Sequence, residues 1–419
     1  MGSDSEHINA SPELKKLHAL LRKENALDEL TIVPVADAGY ILQTRRFPPH
    51  ARDWVLFDYV DTVVAYSKSK EARLIKYQEY LMEQMRSHNI NTTDVGTIAV
   101  RLMKITDSFA RWPEAKTEGS KDNKYHAGAH MTALSWATNF LTDPDTGAQN
   151  GADSINDRID RIRTVLEGVH KNDENTDVRK NADYPFYMNQ NGQLVNKSIS
   201  PWAHEIEAVF HNTMFDPESY TEPIEAMREI GFATDPDEHF NIGIFTYGDP
   251  VFQLSKILQL MKKDPDLPIS QIWLTKEAKG DFVRELVSSG AAQQAQLSTQ
   301  GGDSDIAYQP FGADSHTFIM IEDDPNQIKG IHEANVYLID TGARFACVRS
   351  IRDGTKTAKH PTEQPKTHEV IDYTNGKRPE LSIALIVRIH RYLRMPEGDP
   401  RKQTEANFLS DRGINIAAL

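Results

Sequence analysis

The spacing of apolar residues changes several times along this chain. Residues 54–57, Trp-Val-Leu-Phe, form an unbroken apolar run that ends on Asp58. A run that short fits a strand covered on both faces, as in the parallel sheet of an α/β protein. The same form returns at N-I-G-I-F-T (241–246), Q-I-W-L-T (271–275) and H-T-F-I-M-I (316–321), and V-Y-L-I (336–339) reads as one more strand. The stretch L-T-I-V-P-V-A-D-A-G-Y-I-L-Q-T (30–44) reads as extended structure that stops at Pro48-Pro49.

Between these runs the period lengthens to that of a helix. Residues 12–24 carry Leu14, Leu17, Leu20 and Leu21 on one face, with Ser11 in the N-cap position. Residues 70–86 align Leu74, Tyr77, Leu81 and Met85. Helices are also expected over 94–109, 128–141, 156–169, 202–212, 223–231, 250–262, 280–288 and 326–333. Polar loops are expected at 114–124 and 143–153, and a longer one at 171–200 with a hairpin about 189–192.

Strands that alternate with helices predict an α/β fold with a doubly wound parallel sheet. Residues 1–66 would hold an N-terminal segment and the first buried strand. Residues 67–200, mostly helical, would be an inserted cap, and residues 201–419 the remainder of the core. An insert placed just after the first strand is well placed to close over a site and exclude water.

In such sheets ligands sit beyond the carboxyl ends of the strands. Asp58 stands at that edge, with Asp61 and Thr62 after it. A carboxylate there can be a nucleophile, bind a metal or cap the turn. The other strand ends carry Thr246, followed by Tyr247 and Gly248; Lys276 or Lys279; and Glu322, Asp323 and Asp324. Gathered acids favour a hard cation with oxygen ligands. A threonine can hold an oxyanion, and a lysine can neutralise both that anion and a carboxylate attacking it.

Composition narrows the classes. The 419 residues suffice for two domains, and 39% hydrophobic with 26% charged residues indicates a globular chain. A net charge of −14 and the absence of a sustained basic run disfavour nucleic acid. No apolar run reaches the roughly 20 residues of a membrane span, and the first residues lack a secretory pattern, so the expected location is cytoplasmic. Cys347 is the sole cysteine, which excludes an internal disulfide, and it reads as a small buried residue. His126 and His130 share helical spacing but lack a third ligand, which favours structural roles. Gly301-Gly302-Asp303 reads as a turn, and the basic residues of R-S-I-R-D-G-T-K (349–356) as a solvated loop.

The order of strand ends resembles the haloacid dehalogenase superfamily, most of whose members are phosphatases. F-D-Y-V-D-T-V is similar to its first motif, I-F-T-Y-G-D to its second, a lone lysine to its third, and I-M-I-E-D-D to its acidic fourth. The resemblance covers about residues 50–66 and 205–390. It implies that Asp58 is the nucleophile that becomes an aspartyl-phosphate. Mg2+ would be held by Asp58, the Val60 carbonyl and Asp323, with Glu322 beside them. Thr246, Tyr247, Gly248 and Lys279 would hold the phosphoryl group of a small phosphorylated substrate, and Asp324 would cap the next helix. Lys276 competes with Lys279 for the lysine role. One departure stands out: the family's phosphatases carry an acid/base aspartate two residues after the nucleophile, and this chain has Val60. Valine cannot move a proton, and that help is worth roughly 10²–10⁴ in rate. The alternative expectation is therefore a catalytically impaired relative that binds or regulates. Asp61 is next to the vacant position, but in a continuing strand its side chain would point the other way.

Overall fold

The computed structural model describes residues 11–49, 51–64, 66–90, 94–110, 127–142, 154–171, 186–188, 194–196, 209, 219–233, 239–288, 317–351, 370–372 and 383–411. The chain divides into two compact units, one of residues 1–67 with 218–419 and the other of residues 68–217.

The first unit is built on an eight-stranded sheet. Its strands are β1 (Leu30–Val35), β2 (Gly39–Thr44), β3 (Trp54–Phe57), β6 (Asn241–Tyr247), β7 (Ile269–Thr275), β8 (Thr317–Glu322), β9 (Arg344–Ile351) and β10 (Val370–Asp372), while β4 (Phe186–Met188) and β5 (Leu194–Asn196) belong to the second unit. The spatial order is β1-β2-β7-β6-β3-β8-β9-β10. From β7 to β10 all neighbours are parallel. The sheet as a whole is mixed, however, because β1 and β2 form an antiparallel hairpin and β2 runs antiparallel to β7. The parallel sheet expected from the strand–helix alternation is thus extended by a hairpin whose strands follow each other too closely for a crossover helix.

The parallel part is doubly wound. From β3 the chain winds outward through β6 and β7, then returns to β8 on the other flank of β3 and continues through β9 and β10. The direction of winding reverses between β3 and β8, which is where an open α/β sheet forms its ligand crevice. Each residue of β3, β7 and β8 is buried, as the unbroken apolar runs require.

Alternate strand residues feed two cores. Val55, Phe57, Ile242, Ile244 and Ile321 pack with α1 (Pro12–Lys23), α6 (Thr221–Gly231), α7 (Pro250–Lys263), α10 (Ile383–Arg394) and α11 (Pro400–Ser410). Trp54, Leu56, Phe245, Trp273 and Phe318 pack on the other face with α8 (Lys279–Ser288) and α9 (Pro325–Ala334). Two helices start at the expected caps, where Ser11 accepts from the Leu14 N–H at 3.1 Å and Asp324 from Asn326 at 2.9 Å, and α7 starts at a further one, Asp249, which accepts from Phe252 at 2.7 Å.

Residues 336–339 are not a strand. They lie in a 3-10 segment, Asn335–Thr341, where only Leu338 of the four is buried and Val336, Tyr337 and Ile339 are exposed. The three-residue period suits that helix, in which residues i and i+3 eclipse. The Asn335 side chain donates to the Phe345 carbonyl and accepts from the Phe345 N–H, both at 2.8 Å, so it leads directly into β9, the strand that follows.

The second unit contains α2 (Tyr66–Ser87) from residue 68 onward, α3 (Val95–Ala110), α4 (Ala127–Thr142) and α5 (Ile155–Lys171). Tyr77, Leu81 and Met85 are buried as the periodicity requires. Tyr77 and Thr138 join α2 to α4 through their hydroxyls at 2.8 Å. β4 (Phe186–Met188) and β5 (Leu194–Asn196) pair antiparallel around the expected hairpin position. The expected helix at 202–212, except residue 209, and the turn at Gly301-Gly302-Asp303 lie outside the described residues.

At the amino end of the sheet, Asp53 binds three partners. Its carboxylate accepts from the Thr317 N–H at 2.7 Å and from Arg394 at 3.1 Å, and lies 2.7 Å from His390 Nε2. The buried residue thereby ties β3 to β8 and to α10. Burial alone would raise its carboxyl, but the bonds from His390 and Thr317 and the charge of Arg394 hold it below the usual value. A depressed carboxyl stabilises the fold above its unfolded pKa of about 4 and loses that contribution as pH falls further. Asp53→Asn is expected to cost about 3 kcal/mol at neutral pH, because it strips the partner from a buried charge network. Urea midpoints at pH 7 and pH 3.5 check this: the variant should lose less between the two pH values than the parent.

Candidate active site

Asp58 follows the last residue of β3, and its N–H donates to the Ile321 carbonyl at 2.8 Å. That bond continues the β3–β8 register one step past the strand and places Asp58 level with Glu322. The chain then turns. The N–H groups of Val63 and Val64 both reach the Tyr59 carbonyl, and the Asp61 N–H reaches Val64 at 2.8 Å. Asp61 adopts a left-handed conformation, φ 59°, which aspartate tolerates better than most residues. The Tyr220 N–H donates to the Val63 carbonyl at 2.8 Å, so the points where the chain leaves and re-enters this unit are tied together.

Lys279 is the first residue of α8 and is fully buried. Its Nζ donates to Asp58 Oδ1 at 2.5 Å and also to Glu322 Oε2. The other Glu322 oxygen accepts the N–H groups of Asp323 and Asp324 at 3.1 and 3.0 Å. The Lys279 N–H is held by Gln327 Oε1 of α9 at 2.8 Å. Helix α8 lies so close to α9 at this point that a Cβ on Gly280 would run into the Gly330 carbonyl. Gly280 therefore sets the depth at which Lys279 enters the site. Lys276, the other candidate, is elsewhere: its Nζ pairs with Glu13 at 3.0 Å.

Ligand atoms of Asp58, Glu322 and Asp323 all lie within 4.8 Å of one another. Burial raises the Asp58 carboxyl against the opposing pull of Lys279. Burial and the charge of Asp58 push Glu322 up to about 7, and burial with the charges of Glu322, Asp58 and Asp61 pushes Asp323 up to about 10. Burial also works against the Lys279 charge, but the two carboxylates outweigh it and raise its pKa. Three buried carboxyls and one ammonium leave an excess of negative charge, which a proton or a bound cation must offset. An oxygen-rich, buried, anionic donor set is chemically suited to Mg2+. Both oxygens of Glu322 are already in hydrogen bonds, so Asp58 and Asp323 are the better placed ligands.

The remaining candidates lie on neighbouring elements. Thr246 is buried near the end of β6, the strand beside β3. Tyr247 follows, and its carbonyl accepts from Gln253 at 3.0 Å. Gly248 has φ 138° and donates its N–H to the Thr275 carbonyl at 2.9 Å, so that N–H is engaged within the sheet edge. Val60 is partly buried, packs on the core and forms a bridge with Val64. His130 is buried in α4, and His126 lies outside the described residues. Cys347 is buried in β9, and burial pushes its thiol up.

Two expectations change. Strand alternation does not apply to Asp61, because residues 61–63 form a turn, and its charge reaches Asp323. Arg349 does not solvate a loop: it is a buried residue of β9, paired in register with Glu322. Its position was legible in part, since the four consecutive apolar residues of R-F-A-C-V-R make the short unbroken run of a strand covered on both faces. Gln327 and Gly280 carried no comparable signal, since their roles depend on how closely two helices approach.

Comparison with known proteins finds no matching family model, no matching curated protein and no matching solved structure. Among the described residues no helix is long and apolar enough to cross a membrane.

Gly280→Ala is expected to destabilise the protein by about 1–3 kcal/mol, since two backbones must move apart. Lys279→Met is expected to cost more, about 3–5 kcal/mol, because two buried carboxylates lose their counter-charge. Adding Glu322→Gln to Lys279→Met should recover part of the loss. Guanidinium unfolding of the three variants provides the comparison.

Proposed function

We propose that this chain is a Mg2+-dependent, phosphatase-like hydrolase of the haloacid dehalogenase type, acting on a small phosphorylated substrate. The observation that supports it best is the Lys279 ammonium shared by Asp58 and Glu322, with Asp323 in the same buried cluster. Lys279 holds Asp58 Oδ1, the Tyr59 N–H also bonds this carboxylate, and Oδ2 is the oxygen that would attack phosphorus. The new bond joins Oδ2 to phosphorus as the ester P–O bond breaks; the ester oxygen departs with that electron pair and takes a proton from water, and a water then attacks phosphorus, breaks its bond to Oδ2, releases inorganic phosphate and returns the Asp58 carboxylate. Lys279 tempers the repulsion between carboxylate and phosphoryl oxygens, and Thr246 would donate to one of those oxygens. Mg2+, held by Asp58, Asp323 and the Val60 carbonyl, would supply further charge neutralisation.

Val60 favours a second reading, a protein that binds phosphorylated ligands with little turnover. In the turn that follows Asp58, Asp61 is the carboxylate that could take the place of the missing acid/base group. Hydrolysis of a panel of phosphomonoesters, with and without Mg2+, separates the readings. Asp58→Asn should lower turnover by at least about 10³-fold, as expected for loss of a nucleophile. Val60→Asp should raise it by roughly 10²–10⁴ if proton transfer limits the parent. Asp61→Asn should reduce a parent rate that depends on Asp61. Hydrolysis that survives both Asp58→Asn and chelation of Mg2+ would rule out the proposal. Hydrolysis that appears only in Val60→Asp would favour the binding reading.

A further inference from the structure

The carboxyl edge of the sheet carries a row of side chains at one level. The register pairs Phe57 with Ile321, so Asp58 stands level with Glu322 on β8, and Glu322 is paired with Arg349 on β9. In a parallel pair, residues in register point to the same face. Met320 and Cys347, two residues earlier on these strands, both belong to the core under α8 and α9. Glu322 and Arg349 therefore face the side from which Lys279 enters.

Arg349 is buried, and burial pulls its guanidinium below the usual value while the charges of Asp323 and Asp324 act in the opposite direction. The row thus alternates in sign: Asp58, Lys279 and Glu322 at the nucleophile, then Arg349 beside the acidic pair that opens α9. Asp324 also caps α9, so its carboxylate has a structural task. Arg349 is not one of the family-like positions. A guanidinium at this place is a fixed positive charge that cannot be discharged near neutral pH.

We infer that Arg349 is a built-in counter-cation of the acidic cluster, which competes electrostatically with a divalent ion at Asp58 and Asp323 and sets its affinity low enough for exchange. The inference rests on the cation site of the proposed function and adds a residue to it. Arg349 is assigned a positioning role, acting through the charges of Asp323 and Asp324. A like charge in the same partly desolvated region opposes Mg2+ by Coulomb repulsion, so its removal should tighten binding.

The test is titration of the full chain with MgCl2 alone, followed by calorimetry, with the Mg2+-induced shift in melting temperature as a second readout. Arg349→Gln should bind Mg2+ about three- to tenfold more tightly than the parent, a range that follows from one charge removed at moderate effective dielectric. Arg349→Lys, which keeps the charge, should stay within about twofold of the parent on the same electrostatic argument. Arg349→Met, which keeps the apolar stem, serves where the glutamine variant fails to fold. Tighter binding only in the uncharged variants supports the inference. Equal or weaker binding in a folded uncharged variant overturns it, while leaving the cation site standing. A folded Arg349→Lys that binds as tightly as the uncharged variants also overturns it. A silent parent with a binding Arg349→Gln supports the counter-cation and removes the parent's Mg2+-dependence from the proposed function. Silence in every folded protein overturns both.

Discussion

One buried ammonium group holds the carboxyl edge of this sheet together. Lys279 reaches it from the first turn of a helix and meets Asp58 from one strand and Glu322 from the next. Without that charge, two carboxylates would stand side by side away from water, and burying each carries a penalty of several kcal/mol. With it, β3 and β8 can end in acids at the place where the winding of the sheet reverses. The unbroken apolar strands below, covered on both faces, fix the height of that meeting point, because register in a doubly covered sheet resists slipping.

Opposite charge groups stabilise the two ends of the same strand in different ways. At the amino end of β3, Asp53 is satisfied by an N–H group, a guanidinium and an imidazole, and its carboxyl is held low. At the carboxyl end, Asp58, Glu322 and Asp323 have too few cations, and their carboxyls are pushed up. The contrast separates a structural acid from acids that remain to be neutralised by something else. Perturbed groups gather at functional sites because function needs charge that the fold has not fully compensated.

Much of this was legible in the sequence, and for identifiable reasons. Strands β3, β6, β7 and β8 announce themselves because burial on both faces leaves each an unbroken run with few polar residues. Their order in the chain gives the parallel core, and each polar residue that ends a run marks the catalytic-looking edge. Asp58, Glu322 and Asp323 were found that way; the strand ends left Lys276 and Lys279 open, and the structure brings Lys279 to Asp58 and Glu322. The edge hairpin was not foreseen as part of the sheet, because extended residues 30–44 say nothing of which strand they join. Residues 336–339 misled because three exposed apolar side chains imitate a strand; exposure is a tertiary property that composition does not carry. Arg349 was lost because a basic residue beside Ser350 and Arg352 looks solvated until the neighbouring strand is known.

The loop after Asp58 shows why a missing residue in a motif need not mean a missing function. A rule based on strand alternation discards Asp61, yet the backbone leaves the extended region at this point and puts Asp61 at φ 59°. A left-handed aspartate costs energy that a glycine would avoid, and here it sits in a turn whose bonds to Tyr59 and Val64 over-determine its geometry. Backbone strain that the surrounding bonds over-determine gathers at ligand-binding and switch regions as well as at active sites. Position in a sequence pattern is a proxy for position in space, and the proxy holds only as long as the backbone keeps its period. Past the end of a strand it stops doing so, and the relevant measure becomes which carboxylate shares the field of Asp323 rather than how many residues separate it from Asp58.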